Sequence, residues 1–113
     1  MIHLNIGSNL NSNFGNKFDN ISIAIKFLIE KKFDVEKISN FYETPSYPNK
    51  KLPNFLNVGI IGSFSKSVQE LRNIISVIEK KIGRIKTKKN DPRVCDIDII
   101  DFNGKTLNKD KLT

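Results

Sequence analysis

Between Ser67 and Gly83 the chain places Val68, Leu71, Ile75, Ile78 and Ile82 at intervals of three and four residues. That spacing gathers all five on one stripe of an α-helix. Ser67 and Glu70 form a capping-box pattern at its start, and Gly83 is a natural stop. A helix with a single apolar stripe cannot stand alone in water. It needs a second layer to cover it.

The segments available for that layer lie on either side of this helix and include a second helix. "IHLNI" (2–6) predicts a first strand ending at Gly7, followed by a Gly/Asn/Ser loop. Ile21, Ala24, Ile25 and Leu28 predict a helix over 17–32. "DVEKISNFYETPSY" (34–47) carries Val35, Ile38 and Phe41 among polar residues and predicts a second strand broken before Pro45. The Pro- and Asn-rich stretch 45–55 is long for a connection, which marks a functional loop. "LNVGIIGSF" (56–64) predicts a third strand, and a fourth follows the cationic stretch after Gly83. Asn103-Gly104 predicts a tight turn into a last short strand. The order β-α-β-β-α-β is that of an α+β ferredoxin-like sandwich, an antiparallel sheet with both helices on one face. At 113 residues we expect one domain over 1–113.

The net charge of +7 suggests an anionic partner such as a nucleotide, phosphates or nucleic acid. Nearly all of the excess is lysine, because Arg72, Arg84 and Arg93 are the only arginines. Single Cys95 rules out an internal disulfide and fits a reducing, cytoplasmic location. No apolar run approaches the roughly 20 residues of a membrane span, and "MIHLNIGSNL" lacks the pattern of an export signal. One histidine, His3, leaves nothing from which to build a His/Cys zinc site. "GSNL" lacks the Gly-Lys-Ser/Thr ending of a P-loop.

The chemistry concentrates in "RIKTKKNDPRVCDIDII" (84–100). Asp96 and Asp98 are two residues apart, so on a strand both carboxylates share one face while Cys95, Ile97 and Ile99 share the other. Taken alone, the pair is also what a solvated sheet face displays. Arg93 stands three residues before Asp96, and Arg84 stands at the exit of the second helix. Hard carboxylates that bind magnesium, beside arginines that grip phosphate oxygens in a fork, make a nucleotide site. Lys86, Lys88 and Lys89 lie between the two arginines and are read either as solvated loop charges or as phosphate-facing.

"IGSNL", "SNFYETPSY", "PNFLNVGI", "IEKKIGR" and "DPRVCDIDII" occur in this order, and over essentially the whole chain this resembles the hydroxymethyl-dihydropterin pyrophosphokinases of folate synthesis. The resemblance implies a ferredoxin-like core and transfer of pyrophosphate from ATP to the hydroxymethyl group of a reduced pterin, releasing AMP. It implies that Asp96 and Asp98 hold two magnesium ions, and that Arg84 and Arg93 grip the phosphates as catalytic groups. Glu79, Lys86 and Ile99 join the arginines as ATP contacts. Thr44, Pro45, Tyr47, Phe55 and Asn57 are implied as the pterin contacts, with Phe55 packing on the ring and Asn57 pairing with its polar edge. ATP and a reduced pterin are then the partners of a monomer, with neither nucleic acid nor membrane.

Three positions depart from the family pattern. Asp91 stands where a glycine is usual, and Asn90 where some members have a tryptophan. Family members also continue beyond the position of Thr113 with a Pro-His segment and a further aromatic, so a chain ending there is expected to have strongly reduced activity. Two other readings belong to different classes. One is a catalytically impaired relative acting as a partner subunit. The other is a basic RNA-binding module of the same fold, for which the third strand offers only Phe64 as a stacking aromatic.

Overall fold

The computed structural model describes residues 1–45, 53–83 and 94–106. Along the chain run β1 (Ile2–Ser8), α1 (Lys17–Glu30), β2 (Asp34–Ile38), β3 (Tyr42–Thr44), β4 (Phe55–Ser63), α2 (Val68–Ile82), β5 (Asp96–Phe102) and β6 (Lys105–Thr106). The strands form one sheet in the order β2-β4-β1-β5-β6, with β3 also paired to β4. Every pairing is antiparallel. This is the expected ferredoxin-like sandwich.

Alternation along the central strands sorts side chains cleanly. Ile2, Leu4 and Ile6 of β1, Val58 and Ile60 of β4, and Ile97 of β5 are buried in one core with Cys95. Ile21, Ala24 and Leu28 of α1 and Leu71, Ile75, Ile78 and Ile82 of α2 close that core from the helix side. Full burial of each large aliphatic contributes about 1.5–3 kcal/mol, which is why both stripes are committed to the same face. Phe64 joins the core too, 8% exposed and stacked on Phe33 with ring centroids 6.4 Å apart. It is therefore not a platform for RNA bases.

The helix ends differ from the sequence pattern. The reciprocal capping box forms at α1, where Asp19 N donates to Asn16 Oδ1 at 3.0 Å and Asn16 N donates to Asp19 Oδ2 at 3.0 Å. At α2, Glu70 N donates to Ser67 Oγ at 3.2 Å, while the Glu70 carboxylate lies 3.9 Å from Lys66 Nζ. The Asn103-Gly104 turn is as expected, with φ of 54° and 88° at its two residues.

The second strand is divided. β2 pairs with the C-terminal half of β4 and β3 with its start. A register shift between Val35 and Lys37 kinks β2. Ser39 spans the gap, its Oγ accepting from Gly59 N at 2.8 Å and its N donating to Gly59 O at 2.9 Å. Ile38 is 51% exposed because this edge extends past the helix cover. Gly62 allows β2 to close on β4, since a Cβ there would overlap the Asp34 carbonyl and the Phe33 ring.

Candidate active site

Both helices pack on one face of the sheet, and strand register decides what stands on the other. Directly opposed residues share a face. Asn57 opposes Tyr42 on one side and Gly7 on the other, and Gly7 opposes Asp96. Tyr42, Asn57, Gly7 and Asp96 thus form a row across four strands. The next row holds Gly59, Asn5 and Asp98, and on the other side Thr44 opposes Phe55. Two strand spacings separate Asn57 from Asp96, about 10 Å.

Each position has a local cause. Asn57 is 7% exposed, yet it faces away from the hydrophobic core. Its Nδ2 donates to Thr44 Oγ1 at 2.9 Å and to the Phe55 carbonyl at 3.4 Å. Gly7 keeps the floor between Asn57 and Asp96 clear. A Cβ at that residue would sit 2.8 Å from Asn57 Oδ1 and 3.5 Å from Phe55 Cδ1. Phe55 is half-buried beside it, so one edge of this floor is aromatic and the other is carboxylate.

Beyond Gly7, the β1–α1 connection is held by buried polar groups. Asn20, fully buried on α1, donates to the Leu10 carbonyl at 2.9 Å and to Ser8 Oγ at 3.3 Å, and accepts from Ser12 Oγ. Asn9 donates to Pro53 O at 3.3 Å, and Lys17 Nζ donates to Asn54 O at 3.0 Å. These bonds tie the approach to β4, and hence Phe55 and Asn57, to the connection after β1 and to the start of α1.

Asp96 and Asp98 are half-buried on the face away from the helices, with Ile97 buried between them on the opposite one. Glu79 approaches the same strand from the helix layer. It is 7% exposed, and its Oε2 accepts from Ile97 N at 2.8 Å, which fixes the backbone of β5 midway between the two acids. Ile99 packs against the core on the helix side. Pro45 follows β3 and is exposed. Arg84, Lys86, Arg93 and Tyr47 lie outside the described residues, as do Asn90 and Asp91. Gly83 and Val94 bound the segment 84–93 and stand close together, a Cβ on Gly83 falling 4.0 Å from Val94 Cγ2.

The fold thus brings together Thr44, Phe55, Asn57, Asp96 and Asp98, five residues that the sequence singles out from three separate segments. Sequence reading misses Asn5, Tyr42 and Gly7. The available signal was the polar half of the "IHLNI" alternation: once Ile2, Leu4 and Ile6 point inward, His3, Asn5 and Gly7 must face outward.

Among the described residues no group of three or more His, Cys, Asp or Glu side chains forms a ready-made metal cage. Two carboxylates on one face fit magnesium, which keeps several waters and takes one or two carboxylates together with substrate phosphates. No helix among the described residues is long and apolar enough to cross a membrane.

The model of the 7,8-dihydro-6-hydroxymethylpterin-pyrophosphokinase family matches residues 3–113. A folic acid synthesis protein of Dictyostelium discoideum is 36% identical over 112 residues, covering 99% of this chain and 16% of that protein. The 2-amino-4-hydroxy-6-hydroxymethyldihydropteridine pyrophosphokinase of Aquifex aeolicus is 32% identical over 108 residues, 94% of this chain and 63% of the relative. The protein of that name from Synechocystis is 31% identical over 105 residues, with coverage of 92% and 53%. The chain therefore spans less than two thirds of the length of these relatives.

Proposed function

This chain belongs to the 7,8-dihydro-6-hydroxymethylpterin-pyrophosphokinase family, and on that premise we propose that it transfers pyrophosphate from ATP to the hydroxymethyl group of 6-hydroxymethyl-7,8-dihydropterin in folate biosynthesis. The observation that carries the reading is the register row Asn57–Gly7–Asp96. An amide suited to a heterocycle's polar edge and a carboxylate suited to a metal stand at opposite ends of that row, and Gly7 between them carries no side chain, which supports the reading.

In this reading residues 1–113 form one pyrophosphokinase domain, acting as a cytoplasmic monomer. Phe55 packs on the pterin ring, while Asn57, Thr44, Pro45 and Tyr47 hold its edge. Asp96 and Asp98 would hold two magnesium ions, which would offset phosphate charge. Arg84 and Arg93 grip the phosphates, with Lys86, Glu79 and Ile99 completing the nucleotide contacts.

Release of AMP requires cleavage between the α- and β-phosphates. The hydroxymethyl oxygen therefore forms its new bond to the β-phosphorus, the electron pair of the broken bond leaves with AMP, and the hydroxyl proton passes to solvent. Such a transfer asks a protein mainly for alignment and charge stabilisation. We assign no general base.

Calorimetry with a non-hydrolysable ATP analogue tests the nucleotide half of the reading. Binding is expected with magnesium and at least about tenfold weaker without it, because the like-charged acids and polyphosphate then repel. Equal affinity in both conditions would count against the assignment of Asp96 and Asp98.

A further inference from the structure

We propose that Asn5 and Tyr42 are positioning residues that lock the side-chain amide of Asn57 in one orientation, so that Asn57 offers the pterin an acceptor and selects a ring with an N–H donor at that edge. The inference rests on the pterin reading above and deepens it. A carboxamide is nearly symmetric in shape, but turning it over exchanges donor for acceptor. Something must decide which way it lies.

The decision starts at the Phe55 carbonyl, which can only accept. Asn57 Nδ2 donates to it at 3.4 Å and to Thr44 Oγ1 at 2.9 Å, which commits both amide hydrogens and turns Oδ1 toward β1. There Asn5 Nδ2 donates to Asn57 Oδ1 at 3.3 Å. That leaves Asn5 Oδ1 facing Tyr42, whose hydroxyl donates to it at 2.7 Å. All donors run one way, from Tyr42 to Asn5 to Asn57 to Thr44. Reversing Asn57 would set its oxygen against the Phe55 carbonyl and its nitrogen against Asn5 Nδ2, so the relay resists reversal as a unit.

The remaining lone pair on Asn57 Oδ1 is then the part of the amide free to meet a ligand. A 2-amino-4-oxo pteridine presents a ring N–H along its polar edge. The 2,4-diamino analogue presents a bare ring nitrogen at the same place, and two facing acceptors leave both unpaired.

The test compares wild type, Tyr42→Phe and Asn5→Ala. Tyr42 is 47% exposed, so loss of its hydroxyl spares the fold. By fluorescence titration with magnesium and an ATP analogue, wild type should prefer 6-hydroxymethylpterin over its 2,4-diamino counterpart. Each variant should weaken binding of the oxo form by about tenfold, the worth of one net hydrogen bond, and narrow the preference. Affinity for the nucleotide should be unchanged in Tyr42→Phe, a split that a general loss of structure would not produce. A second readout needs no ligand: the side-chain amide resonances of Asn57 should shift in Tyr42→Phe although the lost hydroxyl bonds Asn5 and not Asn57. Unmoved resonances, or an unaltered oxo-to-diamino preference in both variants, would overturn the relay. A wild type that bound neither pteridine would instead sink the pterin reading, and the resonances would still decide the relay.

Discussion

Replacing Asp96 and Asp98 together by alanine should lower pyrophosphate transfer by about three orders of magnitude or more, since metal-based charge stabilisation supplies several kcal/mol and each 1.36 kcal/mol is tenfold in rate. The fold should survive the change. Both acids stand half-buried on the face away from the helices, while the core contribution of β5 comes from Ile97 on the other side. The measurement is a turnover assay paired with a thermal melt. A large fall in rate with a melting temperature within a few degrees of wild type is the expected pair of results. Undiminished turnover would remove these residues from the site.

The second large effect is expected from the opposite layer. Glu79→Ala leaves the Ile97 N–H, a buried donor, without the carboxylate that accepts from it at 2.8 Å. A lost hydrogen bond to a charged group, together with an unsatisfied buried donor, costs about 3 kcal/mol. The same change frees the backbone of β5 between the two acids. Chemical denaturation should therefore show a lower midpoint with an unchanged slope, and magnesium-dependent nucleotide binding should weaken in parallel. Glu79→Gln keeps an acceptor oxygen and should recover most of the stability. A Gln variant as unstable as the Ala variant would show that the charge of Glu79, not its bond to Ile97, matters to the fold.

That role for Glu79 was partly legible beforehand. Ile75, Ile78, Glu79 and Ile82 follow the spacing of one helical face, so a charged residue sat among core positions. What the spacing could not disclose is its partner, because Ile97 lies 18 residues away and meets it only across two layers. The acids were easier: their separation by one residue fixes a shared face on any strand, and the buried Ile97 between them follows from the same rule. The helices were readable from their stripes, although the reciprocal cap sits at Asn16 rather than at Ser67. Position in the sheet was not readable. Ile38 is an apolar residue of a strand, which suggests burial, yet its strand is at the sheet edge and the residue is half exposed; residue type carries no information about position in the sheet. The Tyr42–Asn5–Asn57 relay was hidden for a related reason. It depends on the register of three strands drawn from distant parts of the chain.

On the proposed reading, the sheet face that carries Asn57 and Asp96 joins a pterin to the terminal pyrophosphate of ATP. Phosphorus NMR of the protein with ATP, magnesium and 6-hydroxymethyl-7,8-dihydropterin tests it most directly. AMP and a pterin-linked pyrophosphate should appear in equal amounts, with neither formed when the pterin or the metal is omitted. Formation of ADP in their place, or AMP and free pyrophosphate at a rate indifferent to the pterin, would contradict it.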